Sequence, residues 1–283
     1  MAETSTISQK PKGLQMFLPA KAENVAVVRH ALAGLAEEIG MDEAGIADLK
    51  TVVTEACMNV VAHAYGGEAG PLTVEANPDA DGLTVVVRDE GRGIRPQADV
   101  DKPSLRLGLS LIAALSSSFA IAGGLDRGTE VSMRVPLRGG GTDGAADAVE
   151  IRPIEASTPT EVLADSPELL APVLARIVGA LAARRDLSID RMSDAVLVTD
   201  AIAAAAPPRF TDGRVRLGLE DGAEGIKLRL GPMDPGGAER IRDELEVPEV
   251  GGSLESLADE LEVESSDGGE YLLISFAAAA PAP

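Results

Sequence analysis

A chain of 283 residues, 45% of them hydrophobic, has apolar material for one large core or two ordinary ones. With 2% aromatics and no Trp, those cores must be built from Ala, Val, Leu and Ile, and the single cysteine, Cys57, excludes an intramolecular disulfide and a cysteine-based zinc site. A formal net charge of −21 and a pI near 4.4 repel nucleic-acid phosphates and argue against direct DNA binding; basic protein partners, or plain solubility, account for the acidity.

Met1 to Gly13 is polar, lacks the apolar segment of a signal peptide, and no uncharged apolar run approaches a membrane span. These features predict a soluble protein of the reducing cytoplasm. Leu14 to Pro19 reads as a short strand. Val25, Val28, Leu32, Leu35 and Ile39 recur at helical spacing over Asn24 to Ile39, and Gly40 supplies a stop. A second helix is predicted over about Ala44 to Ala64, with Leu49, Val53, Ala56, Val60 and Ala64 as its apolar stripe. A hairpin follows: Leu72 to Ala76, a turn through Pro78 to Gly82, then Leu83 to Val87. After a polar loop come a helix at about Leu107 to Ser116 and strands at Phe119 to Ala122 and Glu130 to Leu137. The order β-α-α-β-β-α-β-β predicts an α/β two-layer sandwich, a mostly antiparallel sheet with helices on one face.

Arg138 to Asp147 (RGGGTDGAAD) reads as a flexible linker, and residues 278–283 as a disordered tail. Between them, residues 148–277 repeat the order weakly. Helices are predicted at Pro167 to Arg185, about Asp190 to Ala206 and about Leu254 to Leu261, with strands at Val215 to Leu219, Ile226 to Leu230 and Tyr271 to Phe276. Thr199-Asp200-Ala201 lies opposite Thr54-Glu55-Ala56, and Gly268 to Tyr271 opposite Gly128 to Val131. The repeat reads as a second, degenerate copy of the first domain; two unrelated α/β domains sharing common elements would give a similar pattern.

Three separated elements carry chemistry. Glu55, Asn59 and His63 fall at i, i+4 and i+8 and share one helix face. A carboxamide oxygen suits magnesium, and a carboxylate one turn away can polarise an attacking hydroxyl or water. Asp89, at a strand end, can accept a hydrogen bond from an exocyclic amine, and Gly91 and Gly93 let the backbone pass close to a flat ring. Gly108, with Leu109 after it, opens a predicted helix whose free N–H groups favour phosphate. Gly128-Thr129 opens the last strand of this half. Each element alone has a bland reading: a solvated helix face, a plain turn, a glycine N-cap.

Together, their order and spacing resemble the GHKL superfamily of ATPases with the Bergerat fold, and more closely the bacterial anti-sigma factors that are serine/threonine protein kinases. Glu55 through Tyr65 is similar to the family's Glu-x-x-x-Asn-x-x-x-His-x-Tyr helix. Asp89 to Gly93 resembles its first glycine box, Gly108 to Ile112 the second, and Gly128-Thr129 its closing pair. The resemblance covers about Leu14 to Leu137, an ATP-binding kinase domain. It implies that Asn59 coordinates Mg²⁺ on the ATP phosphates and that Glu55 orients or deprotonates the attacking hydroxyl. It implies that Asp89 reads the adenine amine, that Gly91, Gly93 and Thr129 line the base pocket, and that Gly108 sits under the phosphates. It implies that Arg106 and Leu109 are further nucleotide contacts, that His63 has a structural role or is a pocket contact, and that Arg95 to Leu107 is the lid. Where family members often carry another glycine before Leu107-Gly108, this chain has Ser104-Leu105-Arg106, which implies a stiffer lid.

The resemblance also implies the function: phosphorylation of a STAS-type anti-sigma antagonist and binding of an alternative sigma factor. The alternative is a regulatory module that holds ATP and sequesters a partner without phosphoryl transfer. In the second copy Asn59 faces Ala204 and Asp89 faces about Pro232, so ATP binding is not expected there. Kinases of this family are typically homodimers of one domain. A degenerate copy on a flexible linker therefore predicts a monomeric pseudo-dimer, with the half from about Val149 to Ala277 docked where a second subunit would sit. An independent, freely swinging module is the other possibility.

Overall fold

The computed structural model describes residues 13–93, 103–124, 127–137, 160–185, 187–222, 224–247, 252–254, 257–266 and 268–278, without the side chains of 103–107, 246–247 and 252–253. The predicted linker, residues 279–283 of the predicted tail, the first 12 residues and the lid from 95 to 102 lie outside them.

The N-terminal half follows the predicted order. β1 (Leu14–Pro19) leads into α1 (Ala22–Glu38), which buries Val25, Val28, Leu32 and Leu35 as the periodicity requires and ends before Gly40 at φ +80°. α2 (Glu43–His63) starts where the Asp42 carboxylate accepts the Gly45 N–H at 2.8 Å, satisfying a backbone donor that the first turn would leave open. β2 (Pro71–Pro78) and β3 (Gly82–Asp89) form the hairpin. At its turn Asp79 accepts the N–H groups of Asp81 and Gly82 and is gripped by both terminal nitrogens of Arg134 at 2.5 and 2.6 Å. The Arg134 hydrogen bond holds the Asp79 carboxyl below its ordinary pKa. α3 (Pro103–Leu115), β4 (Ser118–Gly123) and β5 (Thr129–Pro136) complete the half.

The C-terminal half runs β6 (Thr160–Ala164), α4 (Leu170–Arg184), α5 (Ile189–Ala205), β7 (Val215–Gly222), β8 (Gly225–Met233) and α6 (Gly237–Glu244). A short pair, β9 (Glu246–Val247) with β10 (Gly252–Ser253), precedes β11 (Glu260–Ser266) and β12 (Gly269–Ala277). The predicted helix over Leu254 to Leu261 does not reach its predicted end: among the described residues Leu254 accepts the N–H groups of Leu257 and Ala258, and the chain is a strand by Glu260. Its apolar residues do recur at helical spacing, but Leu254, Leu257 and Ala258 are buried in a turn, and from Glu260 on the chain pairs with β12 as an edge strand. A helix lies earlier, at α6, where only Ala238 and Ile241 offer apolar side chains to the core. β6 and β11 had no counterpart among the predicted elements.

All main strands join one ten-stranded sheet in the order β11-β12-β8-β7-β6-β1-β2-β3-β5-β4. Read outward from the centre, each half gives the same succession, so the sheet is quasi-symmetric about the antiparallel β1–β6 pair. There Leu14 faces Ala164 and Met16 faces Val162. Registers place Val162, Met16, Val74 and Val87 in one cross-sheet row, with Val131 next, and all are buried on the helix side. The opposite face is mostly polar, with Phe17, Val86, Leu163 and Leu273 among its charged residues. It carries cross-strand ion pairs: Glu75–Arg88–Glu130 in the first half, and Arg216–Glu161 and Arg229–Glu264 in the second.

The halves share a core. Buried residues of both form one apolar cluster, and α1 packs on α4 so closely that a Cβ on Gly34 would lie 2.2 Å from the Pro172 carbonyl oxygen. Arg176 pairs with Glu37, and Arg184 donates to the Glu23 carbonyl across the same seam. Among the described residues no helix is long and apolar enough to cross a membrane.

Candidate functional site

α2 carries the two residues with the most evident chemistry. Glu55 and Asn59, one turn apart, both look toward α3: a Cβ at Gly108 would stand 2.8 Å from Glu55 Oε2 and 3.5 to 3.6 Å from the Asn59 carboxamide. The structure thus brings Glu55, Asn59 and Gly108 together from two predicted motifs. The place of the glycine differs from the expected one. α3 begins at Pro103, not at Leu107, so Gly108 is its sixth residue and lies past the free N–H groups of the first turn. A Cβ there would press on the tip of the Glu55 side chain, which could turn aside, so glycine leaves the carboxylate in place beside Asn59 without being a steric necessity. The Asn59 Nδ2 position is buried without a hydrogen-bond partner. Carboxamide oxygen and nitrogen are interchangeable by rotation, so Asn59 can present its amide oxygen at this position beside Glu55. That capacity fits a hard cation.

Cys57, between them in sequence, faces the core instead; complete burial pushes its thiol up to about 12 and removes it from any nucleophilic role. His63 is half-buried one turn beyond Asn59. Leu109 packs against the core, and Arg106 lies in α3 with its side chain outside the described residues.

The second cluster forms at the end of β3. Asp89 is 7% exposed and sits on the helix side of the sheet. Its Oδ1 accepts the Gly91 N–H at 2.8 Å, and Thr129, its register partner on β5, donates to it from side chain and backbone. Burial nevertheless raises the carboxyl above its ordinary pKa. The loop is glycine-built for contact. Gly93 and Gly128 both have φ +69°, and added Cβ atoms would fall 2.0 Å from the Gly124 oxygen and 1.9 Å from the Asp89 oxygen. Gly91 abuts the Ala64 carbonyl, and the Arg92 N–H donates to that same oxygen at 3.0 Å. Sequence reading had missed Ala64, Gly123 and Gly124 as walls of this loop; only the Gly-Gly pair at 123–124 signalled it.

An acid on a strand end, a glycine loop folded over it, and a Glu/Asn helix across a one-sided antiparallel sheet define an ATPase domain of the histidine kinase-like class. Residues 18–135 match the family described as "Histidine kinase-like ATPase domain". The chain is 35% identical over 122 residues to "Serine-protein kinase RsbW" of Bacillus cereus, a match covering 38% of this chain and 76% of that protein. It is 34% identical to the protein of that name from Bacillus thuringiensis, with the same coverage, and 37% identical to that of Bacillus mycoides, over 29% of this chain and 52% of that one. A blue-light activated histidine kinase of Erythrobacter litoralis superimposes on 34% of this chain and 32% of its own, at 24% identity and a TM-score of 0.30. The chain belongs to the anti-sigma serine-protein kinase family, within the GHKL class.

The matched segment ends before the C-terminal half, whose corresponding positions differ. Ala204 and Asp200 are exposed on α5. The register counterpart of Asp89 is Met233, paired with Glu270 and fully buried, one residue beyond the Pro232 expected from sequence. At α6 the Glu270 carboxylate accepts the N–H groups of Gly236 at 2.6 Å and Ala238 at 3.1 Å, so an internal anion caps that helix. Glu270→Ala is expected to destabilise the chain by about 1 kcal/mol, the usual worth of such a cap. An unchanged thermal midpoint would show that the cap contributes nothing.

Proposed function

We propose that the N-terminal half is an Mg-ATP-dependent serine/threonine protein kinase of the cytoplasm, acting on a STAS-type anti-sigma antagonist and binding an alternative sigma factor. The convergence of Glu55, Asn59 and Gly108 carries this reading, with family membership beside it. Asn59 would offer its amide oxygen to the metal. Bound Mg²⁺ supplies charge neutralisation at the phosphates. Glu55 would orient the attacking serine or threonine hydroxyl and take up its proton. Asp89, ionised, would accept the adenine amine, with Gly91, Gly93 and Thr129 around the ring.

Incubating the protein and a cognate STAS protein with labelled Mg-ATP tests the proposal. Glu55→Ala should lower transfer by roughly 10²-fold or more, the usual worth of a positioned base, while leaving nucleotide binding in place. Equal transfer by both proteins would remove Glu55 from the mechanism. The packing of Gly108 on Glu55 favours a second reading, in which ATP is held and a partner sequestered without turnover. Nucleotide binding by the wild type without any transfer would select it.

The β1–β6 junction supports a pseudo-dimer with one ATP site. Capping of β1 by β6 removes the edge on which a second copy could extend the sheet from its centre. Light scattering should give a monomer of 29.1 kDa, and titration one nucleotide per chain. A stable homodimer, or two nucleotides bound, would refute this.

A further inference from the structure

Tyr65 follows α2 by two residues, and its hydroxyl occupies an unusual place. Between β2 and β3 the ladder runs from Pro78↔Leu83 to Leu72↔Asp89. The next pair in that register is Pro71 with Glu90. No direct rung forms there. The Tyr65 hydroxyl instead accepts the Glu90 N–H at 2.8 Å and donates to the Pro71 carbonyl at 2.5 Å. One phenol oxygen thus takes the place of the rung, satisfying both backbone groups while keeping the strands apart. Proline has no N–H to restore the pair from its own side. The ring is fixed by its bed on Gly70, where a Cβ would lie 2.2 to 2.4 Å from three ring carbons. Where the ladder opens, the chain turns into the Asp89–Gly93 loop. That loop is held against the end of α2 by the Ala64 carbonyl, while the Arg92 guanidinium lies against Gly66.

We infer that Tyr65 is a positioning residue for base recognition: by standing in for the Pro71–Glu90 rung it splays the end of β3 and sets the loop that presents Asp89 to the base. This rests on the reading of that loop as the adenine pocket. It adds that α2 sets both ends of the site, with Glu55 and Asn59 in its body and Tyr65 just beyond its C-terminus. Burial and the neighbouring Asp89 and Glu90 carboxylates raise the phenol above its ordinary pKa, so it remains a donor at neutral pH.

Tyr65→Phe keeps the ring on Gly70 and removes both hydrogen bonds. In the full chain, with Mg²⁺ present, binding of ATP, GTP and inorganic tripolyphosphate is measured by calorimetry, and exchange of the Glu90 amide by mass spectrometry. The variant should bind ATP about tenfold more weakly, the worth of one to two hydrogen bonds. Tripolyphosphate and GTP binding should be unchanged, so the preference for ATP over GTP falls by the same factor, and the Glu90 amide should exchange faster. A general loss of structure would weaken all three ligands alike and overturn the inference, as would a variant with wild-type ATP affinity and selectivity. If the wild type binds no nucleotide, the pocket reading fails. The exchange rate then still decides whether Tyr65 holds the rung, and an unchanged rate sinks that too.

Discussion

Asp89→Asn is expected to reduce ATP affinity by roughly 10- to 100-fold, because a hydrogen bond to a charged group is worth about 1.5 to 3 kcal/mol. The Asn oxygen can still accept the Gly91 N–H, so the loop keeps its shape. The other carboxylate oxygen, however, becomes an NH₂ group, which opposes the adenine amine donor to donor. The fold should be little affected: relief of the burial penalty on the ionised aspartate is offset by the loss of acceptor capacity toward Thr129. The sign of the pH effect follows. The folded-state pKa of Asp89 is raised above its unfolded value. Ionisation therefore costs stability as pH rises through that interval, and the penalty vanishes below the unfolded value. Binding runs the other way. The wild type should lose ATP affinity as pH falls through the raised pKa of Asp89, and Asp89→Asn should lack that dependence. Calorimetry from neutral to acidic pH measures both. Undiminished binding by Asp89→Asn would displace the adenine site from β3.

Gly34→Leu should produce the largest loss of stability of any single change at the seam between the halves. A Cβ at Gly34 meets the backbone carbonyl of Pro172, 2.2 Å from its oxygen and 2.8 Å from its carbon, and backbone cannot turn aside as a side chain could. Alanine alone forces α1 and α4 apart. Helix propensity would return about 1 kcal/mol for replacing glycine, against overpacking costs of about 1 to 3 kcal/mol. Gly34→Ala should therefore be neutral to destabilising, and Gly34→Leu clearly destabilising. Because both halves contribute to one core, the loss should appear as a lower midpoint of a single thermal transition. A midpoint at or above that of the wild type in Gly34→Leu would mean that α1 and α4 are not packed in this way. Two separate transitions in the wild type would contradict the shared core.

The amino-acid sequence determined the N-terminal half almost element by element, because its signals are local. The stripe Val25, Val28, Leu32, Leu35 marks α1 without reference to anything distant. Glu55 and Asn59 share a face through helix geometry alone. Even so, helix starts escaped: α3 opens at Pro103, four residues early, which takes Gly108 out of the first turn and sets it beside the Glu55 and Asn59 side chains. Tyr65 stood in the motif, but nothing in its neighbours showed that its hydroxyl replaces a rung between Pro71 and Glu90, residues 6 and 25 positions away.

In the C-terminal half the decisive interactions are non-local, and there the tertiary structure decided. Five residues, Thr160–Ala164, have too few alternations to announce a strand; they become one because β1 and β7 offer partners on both sides. Leu254, Leu257, Ala258 and Leu261 satisfy a helical pattern in one dimension, yet pairing with β12 satisfies more backbone groups over Glu260–Ser266 and claims the segment for the sheet. Periodicity reports which residues need burial, and it was right about most of them. Which surface buries them depends on partners far along the chain, and only the assembled sheet supplies those.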